Sequence, residues 1–283
     1  MARHPRIVVR VVTWNLFHGR DHPPESELRT WRSRILRTTE LGAKHAQVNR
    51  PLLREFAAVL ARLPAGAQGE GWELALLQET PPRWLRPLCE ATGASGASAL
   101  TSRNFPHFGR AAVARLNPDL IASNEGGSNQ VLARPGWALA EVARETIAVH
   151  PERRRMLLVR LHEPLGRSLV VANLHASVGG RPDEVLDAAD RAVRWSEGAP
   201  LVFGGDLNLR PEQAPDAFLE LERRYGLRGV TAPGAIDHLL ARGLTVRERP
   251  RAIPPEGREL PATGGRAIRL SDHSPVVGTF EVE

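Results

Sequence analysis

Hydrophobic and polar positions along the chain fall into short apolar runs separated by amphipathic stretches. Residues 7–12 (IVVRVV) are β-branched and apolar on both faces, the pattern of a buried strand. Residues 25–41 mix Glu25, Glu27, Leu28, Trp31, Ile35 and Leu36 as a helix with two faces would. A second helical run, PLLREFAAVLARL, starts at Pro51, a residue suited to a first turn. A glycine-containing loop at 65–71 precedes a short strand at 72–77, and the prolines at 81 and 82 open a helix that runs through Leu88. Residues 91–108, rich in Ala, Ser and Gly, read either as a weak helix with a loop or as an excursion on the substrate side. Strands are expected at 129–133 and 139–143, then a strand–turn–strand pair at 156–161 and 168–173 around a turn at 163–167. A helix at 182–195, a strand at 201–204, a helix at 212–225 and strands at 236–240 and 276–280 complete the pattern. Many strands with flanking helices suggest two stacked sheets covered by helices.

The polar residues that break the pattern gather at strand ends. Asn15, Glu79, Asn173, His175, Asp206, Asn208, Asp237, Asp272 and His273 each follow or adjoin an apolar run. Strand ends on packed sheets are rigid places from which side chains can be aimed into one cleft. In GGDLNLRP (204–211), Asp206 and Asn208 stand two apart after an apolar strand and so share a face. Asp206 can orient or deprotonate water, and Asn208 can donate to a phosphoryl oxygen; an Asx-rich turn would carry the same letters. NLHAS (173–177) repeats the spacing with Asn173 and His175. A histidine there can donate to a phosphate or move a proton, or can be a satisfied sheet-edge residue. In SDHSPV, His273 follows Asp272, and Asp237 of AIDHLL is the expected orienter of His273. A carboxylate fixes the imidazole tautomer and raises its proton affinity. His238 should point away and reads as structural.

Glu79 ends ELALLQE, where a carboxylate is costly if buried without a partner. Magnesium or manganese prefers carboxylate and amide oxygens and water, so Glu79 with Asn15 and Asp272 makes a plausible ligand set. A salt-bridged or helix-start carboxylate is the plainer alternative. Asn129, in GGSNQVLARP, either bonds an active-site carboxylate or caps a turn, and it is counted with Asn173 among the candidate contacts to substrate phosphate. In the run Arg153, Arg154, Arg155, alternation gives Arg153 and Arg155 one face, from which they would clamp phosphate unless the run is merely solvated. Gly-x-Ser-x-Gly and Walker-type loops are absent. The inventory fits hydrolysis by water better than covalent catalysis.

Composition changes the picture in a few places. The 283 residues, 42% hydrophobic, suffice for one large domain or two small ones. A single cysteine, Cys89, excludes a disulfide framework and a multi-cysteine metal site, and RPLCEATG offers it no histidine partner. No stretch approaches the roughly 20 apolar residues of a membrane span, and the N-terminal run lacks a signal peptide's core and cleavage site. A cytoplasmic location is therefore expected. The net charge of +6 favours a polyanionic substrate. Lys44 is nevertheless the one lysine among 38 basic residues, a bias that a GC-rich genome also produces.

In order along the chain, TWNL (13–16), LLQE (76–79), SNQVLAR (128–134), RRRMLLV (153–159), NLH (173–175), GGDLN (204–208), IDHLL (236–240) and SDHSPV (271–276) resemble the endonuclease/exonuclease/phosphatase superfamily, the pancreatic-deoxyribonuclease-like fold. The resemblance covers residues 7–281. It implies an α/β fold, a four-layer sandwich of two packed, mainly antiparallel sheets flanked by helices, as a single domain over 1–283 with a helical insert at about 20–70. It implies a divalent-metal-dependent phosphodiester hydrolase. Asn15 and Glu79 would hold Mg2+ or Mn2+ with Asp272 nearby, and Asp206 would activate water. Asn208 and Asn173 would hold phosphate, His175 and His273 would stabilise the transition state, and Asp237 would orient His273. Which of Arg153 and Arg155 takes the phosphate-contacting position stays open.

Members of that family specific for abasic DNA carry a mid-chain catalytic tyrosine, whereas the one tyrosine here, Tyr225, lies late. The histidine pair is closer to nonspecific deoxyribonucleases, sphingomyelinases and inositol-polyphosphate phosphatases, although no membrane-binding aromatic hairpin is evident. The leading expectation is a nuclease acting on DNA or RNA. The alternatives are a phosphatase or phosphodiesterase acting on a small molecule or lipid headgroup, and a non-catalytic phosphate-binding module.

Overall fold

The computed structural model describes residues 7–22, 49–64, 71–101, 127–150, 152–261 and 267–282. In chain order these form β1 (Ile7–Asn15), α1 (Asn49–Arg62), β2 (Leu74–Thr80), α2 (Leu85–Thr92), β3 (Ser95–Leu100) and β4 (Ser128–Ala133). There follow β5 (Ala138–Ala148), β6 (Arg154–His162), β7 (Ser168–His175), α3 (Pro182–Ser196), β8 (Leu201–Asp206) and α4 (Pro215–Arg223). The chain ends with β9 (Asp237–Arg242), β10 (Leu244–Ala252), β11 (Glu259–Pro261), β12 (Ala267–Arg269) and β13 (Val276–Val282). The expected helix at 25–41 lies outside the described residues.

Period-2 burial builds the layers. Along β1, Val9 and Val11 enter one core while Val12 and Trp14 enter another. A six-stranded sheet, ordered β10-β13-β1-β2-β4-β3, stacks on a five-stranded sheet, ordered β5-β6-β7-β8-β9. The core between them joins Val9, Val11, Leu76 and Val131 to Leu157, Val159, Val171 and Val202. The outer face of the six-stranded sheet is covered by Phe56 and Leu60 of α1 and Leu88 of α2. That of the five-stranded sheet is covered by Val185 and Ala189 of α3 and Phe218 of α4. The four expected layers are therefore present. Pairing is mainly antiparallel, with β1–β2 and β7–β8 parallel.

Three elements depart from expectation. Residues 95–100 form the edge strand β3, not a weak helix. Its small residues let α2 and β4 close in: a Cβ on Gly96 would lie 2.8 Å from Leu132 Cδ2 and 3.0 Å from Cys89 Sγ. β10 was not anticipated, because LTVRERPRA carries the charges and proline that protect an edge strand and hide its apolar alternation. The helix expected from 212 begins at Pro215, after a turn at 211–213.

Candidate active site

The inward-facing positions of both sheets change character toward one end. Above the apolar core comes a layer of amides. Asn173 Nδ2 donates to Leu77 O (2.9 Å) and Gln130 O (2.8 Å), and its Oδ1 accepts from Gln78 Nε2 (2.7 Å). Asn129 Nδ2 donates to Arg155 O (2.8 Å). Both asparagines are fully buried. This corrects the expectation that Asn173 and Asn129 bind substrate phosphate. Their donors are committed to backbone carbonyls, and they tie the two sheets together as the floor of the site.

The next inward residues are ionisable. Asp206, at the end of β8, is buried. Its Oδ2 accepts from Asn15 Nδ2 (3.0 Å), and its Oδ1 accepts from the Asn208 N–H (3.0 Å). The strand reaches this point through Gly205, whose φ of +127° and close packing exclude a side chain; a Cβ there would fall 1.9 Å from Leu174 O. His175 Nε2 stands 3.6 Å from Asp206 Oδ2 and 3.7 Å from Glu79 Oε1. His273 Nδ1 meets Asp237 Oδ2 at 2.8 Å, and its Nε2 faces Asp206 (3.9 Å) and Asp272 (3.8 Å). Asn208 Nδ2 donates to Ala176 O, leaving its second amide hydrogen uncommitted. Asn15, Glu79, His175, Asp206, Asn208, Asp237, Asp272 and His273 thus converge as expected. His238 turns away, with Nε2 3.0 Å from Leu209 O.

The backbone is strained here. Among the described residues, six non-glycine positions have positive φ. Phe17, His18, Glu79, Asn208 and Ser271 belong to this rim, and Glu197 caps a helix.

Electrostatics separate the groups. Burial and the neighbouring Asp237 push Asp206 up to about 7. Burial would lower His273, but Asp237, Asp206 and Asp272 outweigh it and raise it to about 10. Burial and the Arg154 guanidinium hold His175 down to about 3. Burial opposes ionisation of Glu79, yet His18, His175, His273 and Arg20 hold it down to about 2. Near neutrality His273 is therefore a cation, His175 a neutral imidazole and Glu79 an anion.

Arg154 is the arginine that reaches the centre. Its Nη1 lies 3.2 Å from Nδ1 and 3.3 Å from Nε2 of His175, against the ring rather than in line with one lone pair. The expected pair, Arg153 and Arg155, does not take this position. Arg153 precedes β6, and the register shifts at the neighbouring end of β5, where Thr146 pairs Arg155 and Ala148 pairs Arg154.

Other contributors had weak sequence signals. His18, three residues past Asn15, sets its Nε2 3.2 Å from Glu79 Oε2. Ser271 Oγ donates to Asn15 O (2.6 Å) and accepts the His273 N–H (3.0 Å). Buried Arg258 donates to Leu270 O (2.7 Å), to Ser271 O and to Ser274 Oγ (3.2 Å), bracing the loop that carries Asp272 and His273. Nothing in the local sequence around Arg258 marks it.

Asp206, Asp237 and His273 offer ligand atoms that all lie within 4.8 Å of one another, a cluster able to hold a divalent metal ion. Asp237 Oδ1 is buried without a hydrogen-bond partner. Carboxylates and amide oxygens are the donors a hard cation prefers, so the residues fit such an ion.

The sequence profile of the Endonuclease/Exonuclease/phosphatase family matches residues 12–273. The chain belongs to this family. An endonuclease/exonuclease/phosphatase family protein from Bacteroides thetaiotaomicron superposes with a TM-score of 0.64 at 14% identity, over 99% of this chain and 97% of that one. A mannosyl-6-phosphatase from the same species gives 0.59 at 15% identity, over 96% and 99%. D. rerio TDP2 complexed with single-strand DNA product gives 0.56 at 14% identity, over 96% and 98%. At these identities the likeness is one of fold. No curated protein matches the sequence closely enough to count as a relative. Family membership and the Asp206–Asp237–His273 cluster together mark a metal-dependent phosphoesterase.

Proposed function

We propose that this protein hydrolyses phosphodiester bonds of nucleic acid by direct attack of water on phosphorus. The observation that carries the reading is the geometry at the centre: Asp206 Oδ2 faces His273 Nε2 at 3.9 Å while Asp237 holds Nδ1 of the same ring at 2.8 Å, with Asp206 pushed up to about 7 and His273 raised to about 10. Two titratable groups with such separated proton affinities suit a base and a cationic donor working in one site. Asp206 takes a proton from the attacking water as its oxygen bonds to phosphorus, the P–O bond to the leaving group breaks, and the leaving oxygen takes up a proton from solvent. His273, held by Asp237, donates from Nε2 to a phosphoryl oxygen as charge builds there. Arg154 and His175 face the same oxygens, and Asn208 offers its uncommitted amide hydrogen.

The reading assigns Mg2+ or Mn2+ to Asn15, Glu79 and Asp272. In this reading Asp206, Asp237 and His273, which as a cluster could also hold an ion, carry the proton chemistry. Asn15 Oδ1 accepts the Phe17 N–H and keeps a second lone pair. When bound there, the ion would neutralise phosphate charge. Support for nucleic acid comes from the positive net charge and from the fold shared with the TDP2 complex. The mannosyl-6-phosphatase of the same fold favours a second reading, a small phosphate ester.

The purified protein should cleave plasmid or single-stranded DNA with magnesium or manganese, and not with EDTA or as Asp206→Ala. Metal-dependent turnover of bis(p-nitrophenyl) phosphate without any DNA cleavage would sink the nucleic-acid reading in favour of small esters.

A further inference from the structure

Several arginines on the five-stranded sheet and its helices meet carboxylates. Arg160 pairs with Glu141 and Glu197, Arg191 with Glu145 and Asp187, and Arg154 with Glu152. Three arginines on the flank where β5 and β6 approach β3 do not. Arg144 donates only to Ser98 O (2.7 Å), and Arg153 only to Thr101 O (3.5 Å). Among the described residues, the half-buried side chain of Arg155 meets no hydrogen-bond or ion-pair partner, and the Nε atoms of Arg153 and Arg155 are buried without an acceptor. A buried guanidinium N–H without an acceptor is costly, so the arrangement is one that an incoming anion would relieve.

This flank adjoins the catalytic rim. Thr101, which accepts from Arg153, donates its N–H to Gly127 O (3.0 Å). Gly127 lies against Glu79, so closely that a Cβ on it would stand 3.0 Å from Glu79 Cα. Asn129 of the amide floor ties down the backbone of Arg155. Burial and the proximity of Arg155 lower the proton affinity of Arg153, as expected for like charges held together without a counter-ion.

We propose that Arg153 and Arg155 form a second anion subsite beside the hydrolytic centre, which takes a neighbouring phosphate of a nucleic-acid strand while the scissile phosphate sits at His175, Asp206 and His273. This rests on the phosphodiesterase reading above and narrows it to substrates with at least two phosphates. Arg144 extends the same basic flank away from the centre.

Isothermal titration of the metal-loaded protein with thymidine 3′,5′-bisphosphate and with thymidine 5′-monophosphate tests the subsite without needing turnover. The bisphosphate should bind at least about tenfold more tightly than the monophosphate, the scale of one charge-assisted phosphate contact. In Arg153→Gln/Arg155→Gln that ratio should fall to near one, and the salt dependence of bisphosphate binding should flatten. Arg155→Gln alone, which has no side-chain bond to lose, should fold and remove a large part of the ratio. An equal ratio in the wild type and the variants would overturn the subsite. Fructose 1,6-bisphosphate binding as tightly as the nucleotide would overturn its assignment to nucleic acid. Hydrolysis of bis(p-nitrophenyl) phosphate is read separately: its absence overturns the phosphodiesterase reading, whatever the titrations show.

Discussion

The amide floor and the ionisable rim lie one or two residues apart on the same strands, yet they obey opposite rules. Asn173, in the floor, has both its amide hydrogens and its oxygen engaged, and is closed to solvent. Two residues on, His175 shares its surroundings with a guanidinium and two carboxylates, and its nearest polar distances are all longer than 3.1 Å. In the floor the buried amide donors find acceptors, although Asn129 Oδ1 and Gln130 Oε1 lack a donor among the described residues. The rim carries strained backbone at Glu79 and Asn208 and two carboxylates, Asp206 and Asp237, with oxygens within 4.8 Å of each other. That is the signature of a region kept for chemistry at a cost in stability.

Exchanging one residue from each layer should separate activity from stability most sharply. Asp206→Asn keeps the shape and removes a buried carboxylate that burial and Asp237 already disfavour. kcat should fall by about 10³-fold, within the usual range for loss of a general base, while the melting temperature stays level or rises. Asn173→Leu should do the reverse. It takes the side-chain donor from Leu77 O and Gln130 O and leaves the Gln78 amide only Thr13 Oγ1 and Leu76 O, and should cost about 3 kcal/mol of stability with a smaller loss of turnover per folded molecule. Thermal melts beside steady-state kinetics decide it. A large stability loss in Asp206→Asn, or none in Asn173→Leu, would erase the distinction between the layers.

The sequence exposed the rim more readily than the floor for a physical reason. Ionisable residues after apolar runs are conspicuous, so Glu79, His175, Asp206, Asp237 and His273 could be picked out by strand-end position alone. Asn173 and Asn129 carry the same strand-end mark, and only the partner sheet shows that their amide donors are already spent. Arg154 stands at the very start of β6, beside a register shift in β5, where run-based alternation gives no guide to which arginine turns inward. Arg258 acts through backbone carbonyls twelve and thirteen residues away, contacts with no local pattern. The layers were legible because apolar alternation reports them directly. β3 was not, because an edge strand squeezed against a helix is made of the small residues that otherwise suggest a loop.

A pH profile sharpens the comparison within the rim. Asp206 works deprotonated, so activity should rise with pH through about 7; His273 works protonated, so activity should fall above about 10. Asp237 raises both groups, and Asp237→Asn must therefore move both limbs to lower pH. The alkaline limb should move further, because burial alone would depress His273 whereas burial is the larger cause of the Asp206 elevation. Rates with bis(p-nitrophenyl) phosphate at saturating metal between pH 5 and 11 measure both. Limbs that stay in place would separate Asp237 from the catalytic pair.

The smallest effect should come from a residue that belongs to neither layer. Arg258 touches no candidate catalytic side chain, but it fixes the two carbonyls immediately before Asp272 and the hydroxyl immediately after His273. A lysine would keep the charge and lose the fork that spans three acceptors at once. The loop would keep its tether through Ser271 and Trp14, since Trp14 Nε1 donates to His273 O (3.0 Å). Arg258→Lys should therefore melt within a few degrees of the wild type and lose about fivefold in kcat/KM. A looser His273–Asp237 contact would also draw the alkaline limb downward, in the direction of the Asp237→Asn variant but by less. If the rate fell with the limb unmoved, Arg258 would be acting on the loop's fold and not on the geometry of the imidazole it braces.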